Sequence, residues 1–315
     1  MKVVVVGGAG FIGSHLAERL VVEGHSVDVV DSLSSGSLAN LATARTMGGD
    51  LTIHTLDAAT EGFETLLARR RPDVIYHLSV LSPPLPSAAG GPPGATDRGL
   101  AIASLQQTIT VLEAARATGT TKVVMALSAV DLYGEVASKQ LPVKESQPWS
   151  PISVAGVMWR AIADLLAIYR EQHAVEFTAL AVANVYGPRQ RSAAGVVAAF
   201  VAAARERTAP VIYGDGRHTR DFIYVDDAVD ALVRAATKGS GLVLNVGTGI
   251  ATSILDLWTL LADANGEQSS EPKFSPQRPY DVARSALSPM RARIHLGWSP
   301  WTQLADGVAS VLAES

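Results

Sequence analysis

Residues 2–16, KVVVVGGAGFIGSHL, constrain the fold more than any other part of the chain. The four valines at 3–6 read as a buried parallel strand, and the turn that ends it carries Gly7, Gly10 and Gly13 at G-x-x-G-x-x-G spacing. A helix follows at once. Each glycine meets its own physical demand: one permits the tight turn, one lets backbone amides approach a pyrophosphate, and one lets the helix pack on the strand. The helix N-terminus adds partial positive charge for phosphates. Spaced glycines alone also occur in plain structural turns. Here, however, a second apolar strand at 27–30 ends in Asp31, about twenty residues further on, as a dinucleotide-binding fingerprint requires.

Composition narrows the rest. A chain of 315 residues, 48% of them hydrophobic, can bury a sizeable core as one large or two modest domains. A net charge of -4 with no Lys/Arg runs argues against nucleic-acid and membrane-surface partners. The absence of cysteine excludes disulfides, thiolate metal sites and thiol nucleophiles, and no metal site is expected. The sequence opens directly on a core strand, without a charged leader or an apolar run of about 18 residues, so a cytoplasmic location is expected.

Strands are predicted at 51–56, ending beside Asp57, and then at 73–78, 122–127, 175–182, 211–213 and 243–246. Helices are predicted around 63–71, 100–118, 154–172, 195–205, 228–236, 253–264 and from 303 onward. This alternation points to an α/β fold built on a doubly wound parallel sheet. Residues 79–99 hold five prolines and four glycines, which reads as a loop. A lid or substrate wall and a disordered surface insertion both fit it.

In their order and spacing, GGAGFIGSHL, VVDSLSSG, YHLS, LYGE, NVYGPRQ, YGDGRHTRDFIYVDDAVDAL, NVGTG, RPYDV and LGWSP resemble the extended short-chain dehydrogenase/reductases of the NAD-dependent epimerase/dehydratase family. The resemblance implies a Rossmann domain over 1–185 plus roughly 220–250, and a smaller C-terminal substrate-binding domain from 186–219 and 251–315. It implies that Gly7, Gly10, Phe11, Ile12 and Gly13 hold the pyrophosphate and Asp31 the adenosine ribose. Asp57 and Ala58 would flank the adenine, Leu78, Ser79 and Val80 the nicotinamide side, and Ala183 and Val185 would lie under the nicotinamide. An acid at position 31 accepts from a ribose 2′-OH and repels a 2′-phosphate, favouring NAD. Ser32 and Ser35 in SLSSGS keep NADP open if the Asp31 side chain turns away. The family holds a nucleotide diphosphate with an Asn and two Arg, matched here by Asn184, Arg220 and Arg278; Ser82 and Trp149 would also face substrate. A structural role in domain packing fits those three residues as well. The partners implied are a small-molecule substrate and a homodimer formed through helices of the Rossmann domain.

The chemistry departs from the family pattern. Family members use a Ser with Tyr-x-x-x-Lys, and in SPISVAGVMW Ile152 stands at the Tyr position and Gly156 at the Lys position. The Ser position is Ala129, with Ser128 adjacent as a weak candidate. Nor has the motif moved: Tyr169, Tyr186, Tyr213, Tyr224 and Tyr280 are followed four residues later by His173, Gln190, Arg217, Ala228 and Arg284. Losing a positioned acid or base typically costs a factor of about 10² to 10⁴, whereas holding a hydride donor against a carbonyl contributes an effective molarity of about 10⁵ to 10⁸ M. Hydride transfer therefore survives best where the substrate brings its own proton. The leading expectation is thus an NAD(P)H-dependent ketoreductase of a bulky, hydroxyl-bearing aromatic ketone. Apolar Trp149, Ile152, Met158 and Trp159 agree with such a substrate, although residues of that kind beside a helix often belong to the core. The alternatives are a nucleotide-sugar epimerase or dehydratase with a relocated base, and a non-catalytic NAD(P)-binding scaffold. Tyr133 and His77 read as packed residues rather than catalysts.

Overall fold

A computed structural model of the chain describes residues 1–80, 95–266, 270–278 and 281–313. Strands β1 (Lys2–Val6), β2 (Ser26–Asp31), β3 (Leu51–Thr55), β4 (Val74–His77), β5 (Lys122–Ser128), β6 (Glu176–Val182) and, later in the chain, β11 (Leu242–Val246) form one seven-stranded sheet. Its order is β11-β6-β5-β4-β1-β2-β3, and every pairing is parallel. The order reverses direction between β4 and β1, which places a ligand crevice outside their carboxyl ends. The doubly wound α/β expectation holds.

Alternation along β1 builds both sides of the core. Val3 and Val5 face one buried cluster with Leu16 and Leu20 of α1 (Phe11–Val22), while Val4 and Val6 face another with Phe63 and Leu67 of α3 (Glu61–Arg70). The second cluster also takes in α4 (Ala95–Thr118) and α6 (Val154–His173). The first continues into Phe200 of α7 (Val196–Arg205), Ile212 of β8 (Val211–Tyr213) and Trp258 of α9 (Ile254–Asn265). The C-terminal residues thus share apolar packing with the sheet.

Several elements differ from expectation. Helix α4 begins at Ala95, inside the stretch read as a loop, and SAVDLY forms the short helix α5 (Ala129–Tyr133). The polar run after Gly214 carries β9 (Thr219–Arg220) and β10 (Phe222–Tyr224). Strand β10 pairs with β7 (Asn184–Tyr186), and β9 pairs with β12 (Thr252–Ser253). These strands are too short for a periodicity to register. Strand β13 (Lys273–Ser275) lies beside β8.

Asp221, between β9 and β10, fixes this region. It is fully buried, and its carboxylate accepts the Thr248 N–H at 2.9 Å, the Thr248 hydroxyl at 2.6 Å, the Gly249 N–H at 3.0 Å and the Leu287 N–H at 2.9 Å. Its own carbonyl accepts the Asn184 N–H at 2.9 Å. Burial raises the Asp221 pKa while these donors pull it back down. Asp221→Asn turns one acceptor oxygen into a donor facing buried N–H groups, so it should cost about 1 to 3 kcal/mol per donor left unpaired. Urea unfolding should show a lowered midpoint at unchanged slope; an unaltered midpoint would contradict the role given to this carboxylate.

Candidate cofactor and substrate site at the carboxyl edge of the sheet

The glycine turn is built by close approach. Gly7 has φ +80°, and a Cβ there would stand 2.8 Å from the backbone carbon of Leu78 and the nitrogen of Ser79. At Gly13 a Cβ would overlap the Gly7 carbonyl oxygen. Only glycine lets the β1 turn, the β4 turn and α1 meet this closely. Helix α1 starts after Gly10 with no side-chain cap and no acid in its first turn, so the amides of Phe11 and Ile12 sit at an uncapped positive helix end. A pyrophosphate fits such a seat.

Asp31 ends β2 and is anchored by its neighbours. Its carboxylate accepts the Ala9 N–H at 2.9 Å and the Leu33 N–H at 2.8 Å, and a Cβ on Gly36 would lie 2.9 Å from both oxygens. The side chain faces the glycine loop, the arrangement expected to favour NAD. Ser32 instead donates to Ser34 at 3.1 Å, and Ser35 is exposed. Asp57 accepts the Ala59 N–H at 2.9 Å and the Gln107 amide at 3.1 Å beside buried Ala58. Leu78 donates its N–H to Val6, and Ser79 donates to Gln107 at 2.7 Å; Val80 is half-buried next to them. Ala183 donates to the Val246 carbonyl at 2.9 Å, and Val185 pairs with Ile223. These residues lie at the ends of β1, β2, β3, β4 and β6, along one edge. Ser82 and the proposed lid loop up to residue 94 lie outside the described residues.

His77 is fully buried, with Thr108 Oγ1 3.1 Å from Nε2 and Ser79 Oγ 3.2 Å from Nδ1. Burial pushes its pKa down to about 3, so it is neutral and is no proton carrier at physiological pH. The Tyr133 hydroxyl donates to Asn245 at 2.8 Å, and burial pushes its pKa up to about 12. Both read correctly as packed residues. Met158 and Trp159, 3% and 4% exposed, also belong to the core and correct the expectation that they face an apolar substrate. Trp149 is half-buried against the same cluster, and Ile152 is 41% exposed at the entry to α6.

The positions expected for the family's Ser and Lys lie on two helices in close contact. Ala129 is buried in α5, and Gly156, in the first turn of α6, lies directly on that helix. A Cβ on Gly156 would overlap the Asp131 carbonyl oxygen and stand 2.7 Å from Pro151 Cβ. No side chain fits there, least of all a lysine. Ser128, the weak candidate, shares this corner with two residues that had no role in the sequence analysis, Ser153 and Asp131. Ser153 caps α6 by accepting the Gly156 N–H at 3.0 Å, and Ser128 donates its hydroxyl to the Asp131 carboxylate at 2.5 Å. The spacing S-x-x-D over 128–131 carries the signal of a helix start and could have marked Asp131.

At the outer side of the edge, Arg220 and Arg278 meet on Asp281. Arg220 donates to Asp281 at 2.5 Å and to the Thr219 carbonyl at 2.8 Å. Arg278 donates to the other Asp281 oxygen at 3.4 Å, stacks 4.8 Å above the Tyr213 ring, and keeps a buried Nε–H without a partner among the described residues. Asn184 is tied to the residue after Arg220, its N–H donating to the Asp221 carbonyl at 2.9 Å. Two guanidinium groups against one carboxylate leave a positive seat with an unused donor. Such a seat suits a diphosphate.

The NAD dependent epimerase/dehydratase family model matches residues 3–247. The chain belongs to that family. It is 39% identical to the UDP-glucose 4-epimerase of Mycolicibacterium smegmatis over 319 residues, covering 99% of this chain and 97% of that one. The crystal structure of UDP-glucose 4-epimerase with UDP-glucose from Thermotoga maritima superposes with TM-score 0.89 at 32% identity, over 99% of this chain and 98% of that one. The Thermus thermophilus UDP-glucose 4-epimerase complex with NAD gives 0.88 at 29% identity, over 99% and 98%. Among the described residues no helix is long and apolar enough to cross a membrane, and no group of His, Cys, Asp and Glu side chains is arranged to hold a metal ion.

Gly156→Ala should be destabilising even though alanine is the better helix former by up to about 1 kcal/mol. The added methyl meets backbone that cannot yield, an overpacking cost of about 1 to 3 kcal/mol, and a lowered thermal midpoint checks it. For His77, the unfolded chain takes up a proton below pH 6.5 that the folded site refuses down to about 3. Stability carried by this group is therefore complete above pH 6.5 and falls by about 1.4 kcal/mol per pH unit below it. Urea titrations from pH 7 to 4 should show a shallower decline in His77→Gln than in the unaltered chain; equal slopes would contradict the assignment.

Proposed function

We propose that the chain is an NAD-dependent nucleotide-sugar enzyme of the epimerase or dehydratase type, acting through a relocated proton carrier. The observation that carries this reading is the Arg220 and Arg278 pair on Asp281, whose buried Arg278 Nε–H has no hydrogen-bond partner among the described residues. In this reading residues 1–185 with about 220–250 hold the cofactor, and 186–219 with 251–315 hold the substrate. Asn184, Arg220 and Arg278 grip the diphosphate. Gly7, Gly10, Phe11, Ile12 and Gly13 take the pyrophosphate of NAD, and Asp31 its adenosine ribose. Bound NAD supplies a reversible hydride acceptor at the carboxyl edge of β4, β5 and β6. Phosphate recognition far from the reacting carbon then supplies orientation, the larger factor in such a reaction.

A second reading is favoured by exposed Ile152 and the absence of any Tyr-x-x-x-Lys. It is reduction of a hydroxyl-bearing aromatic ketone that protonates its own alkoxide, a pattern resembling the angucyclinone ketoreductase of simocyclinone biosynthesis. Burial of Met158 and Trp159 takes away part of its support, and the curated relatives support the sugar reading.

Thermal denaturation with NAD, NADP, UDP-glucose, dTDP-glucose and a phenol-adjacent aromatic ketone separates these. A ligand at a hundredfold over its Kd stabilises the folded state by about 2.7 kcal/mol. NAD and a nucleotide sugar should each raise the midpoint, and Arg278→Ala should abolish the sugar shift while keeping that of NAD. A shift with the ketone and none with any nucleotide sugar would overturn the proposal. Tight NAD binding with no response to either substrate class would point to a non-catalytic scaffold instead.

A further inference from the structure

The vacated family positions leave a question that the site itself answers: which group exchanges a proton with the sugar hydroxyl. Asp131 sits on α5, one turn beyond the carboxyl end of β5, where the sheet delivers its ligands. Its carboxylate accepts the Ser128 hydroxyl at 2.5 Å and lies within hydrogen-bonding reach of the Ser153 hydroxyl, which neighbours Ile152. The carboxylate therefore stands between the two residues that flank the lost Ser and Tyr positions. Arg220, one of the two diphosphate arginines, is the charged group whose field reaches it.

A plainer role is the N3 acid of a capping box, in which the side chain reaches back to the N-cap backbone N–H. Here its bond goes to the Ser128 hydroxyl, and Ser128 makes no side-chain cap to the helix. The carboxylate is tied to the Ser128 hydroxyl, with that of Ser153 near it, rather than used up by the N-cap backbone. Hydroxyls can pass a proton outward; buried amides cannot.

Resting on the nucleotide-sugar reading, we propose that Asp131 is the proton carrier of the reaction, standing in for the missing tyrosine. As the carbinol C–H bond breaks with its electron pair passing to oxidised nicotinamide dinucleotide, the O–H proton passes to the Asp131 carboxylate, directly or through Ser128 or Ser153, and the C=O bond forms. The carbinol is oxidised by two electrons and the dinucleotide reduced. In the return step Asp131 gives the proton back as the carbonyl is reduced. Burial raises its pKa from the ordinary carboxylate value, against the lowering effects of Ser128, Arg220 and Ser153. That moves a weak base toward the pH at which it must work.

The test compares the full-length chain with Asp131→Asn and Ser128→Ala, using NAD with UDP-glucose and dTDP-glucose. In Asp131→Asn, thermal shifts with NAD and nucleotide sugar should match the unaltered chain, kcat should fall about 10² to 10⁴-fold with little change in KM, and the acidic limb of the kcat profile should vanish. In the ligand-free chain, one carboxyl ¹³C resonance titrating above the usual aspartate range should be missing from the variant. Ser128→Ala removes a donor to the charged form, so its acidic limb should move to higher pH. This second variant decides the matter if Asp131→Asn does not fold. Retention of kcat within about threefold in Asp131→Asn, or an unmoved acidic limb in Ser128→Ala, overturns the assignment and leaves the nucleotide-sugar reading standing. An unaltered chain that neither binds nor converts any nucleotide sugar overturns both.

Discussion

The carboxylate of Asp221 ties together segments that the chain separates widely. It accepts from Thr248 and Gly249 beyond β11 and from Leu287 near the C-terminus, while its backbone holds Asn184 at the end of β6. A buried charge without partners costs several kcal/mol, so this one compels its donors to converge on it. Convergence has a positional result. Arg220 is the preceding residue, and β7 pairs with β10 immediately after it. Arg220 and Asn184 are thus fastened to the carboxyl edge of β6 and β11, the edge of the sheet that carries the glycine turn.

The glycine turn and Asp31 were legible because their constraints are local. A strand must precede the turn, a helix must follow it, and the acid must end the next strand; all three appear in thirty-one residues. Most of the sheet strands were legible for a similar reason, β1 and β4 being nearly continuous buried runs and β3 a shorter half-buried one. Strands β7, β9 and β10 were not, since two or three residues give no period, and their pairing is imposed by Asp221 rather than by propensity. Helix α5 was missed because SAVDLY is too short to nucleate alone. Met158 and Trp159 were assigned to a substrate wall because an apolar residue one turn into a helix looks the same in sequence whether it points to core or cleft.

The contact between α5 and α6 depends on a glycine. Gly156 brings the first turn of α6 onto the Asp131 carbonyl, and Ser153 caps that turn. Any side chain at 156 would have to displace that carbonyl and Pro151.

The identity of the proton carrier explains why both residues could go together. A phenol, with pKa near 10, needs a neighbouring cation to ionise at neutral pH. A carboxyl starts from the opposite side: it is ionised without help and needs burial to become a stronger base. Asp131 has that burial, with Ser128 and Ser153 to keep it solvated by hydroxyl groups and Arg220 to limit the rise. Once a carboxylate does the proton work, a lysine at 156 has no phenol to serve, and its added positive charge would lower the very pKa that burial raises. A carboxylate proton carrier therefore has no electrostatic need of a lysine at 156, where the Asp131 carbonyl leaves no room for a side chain.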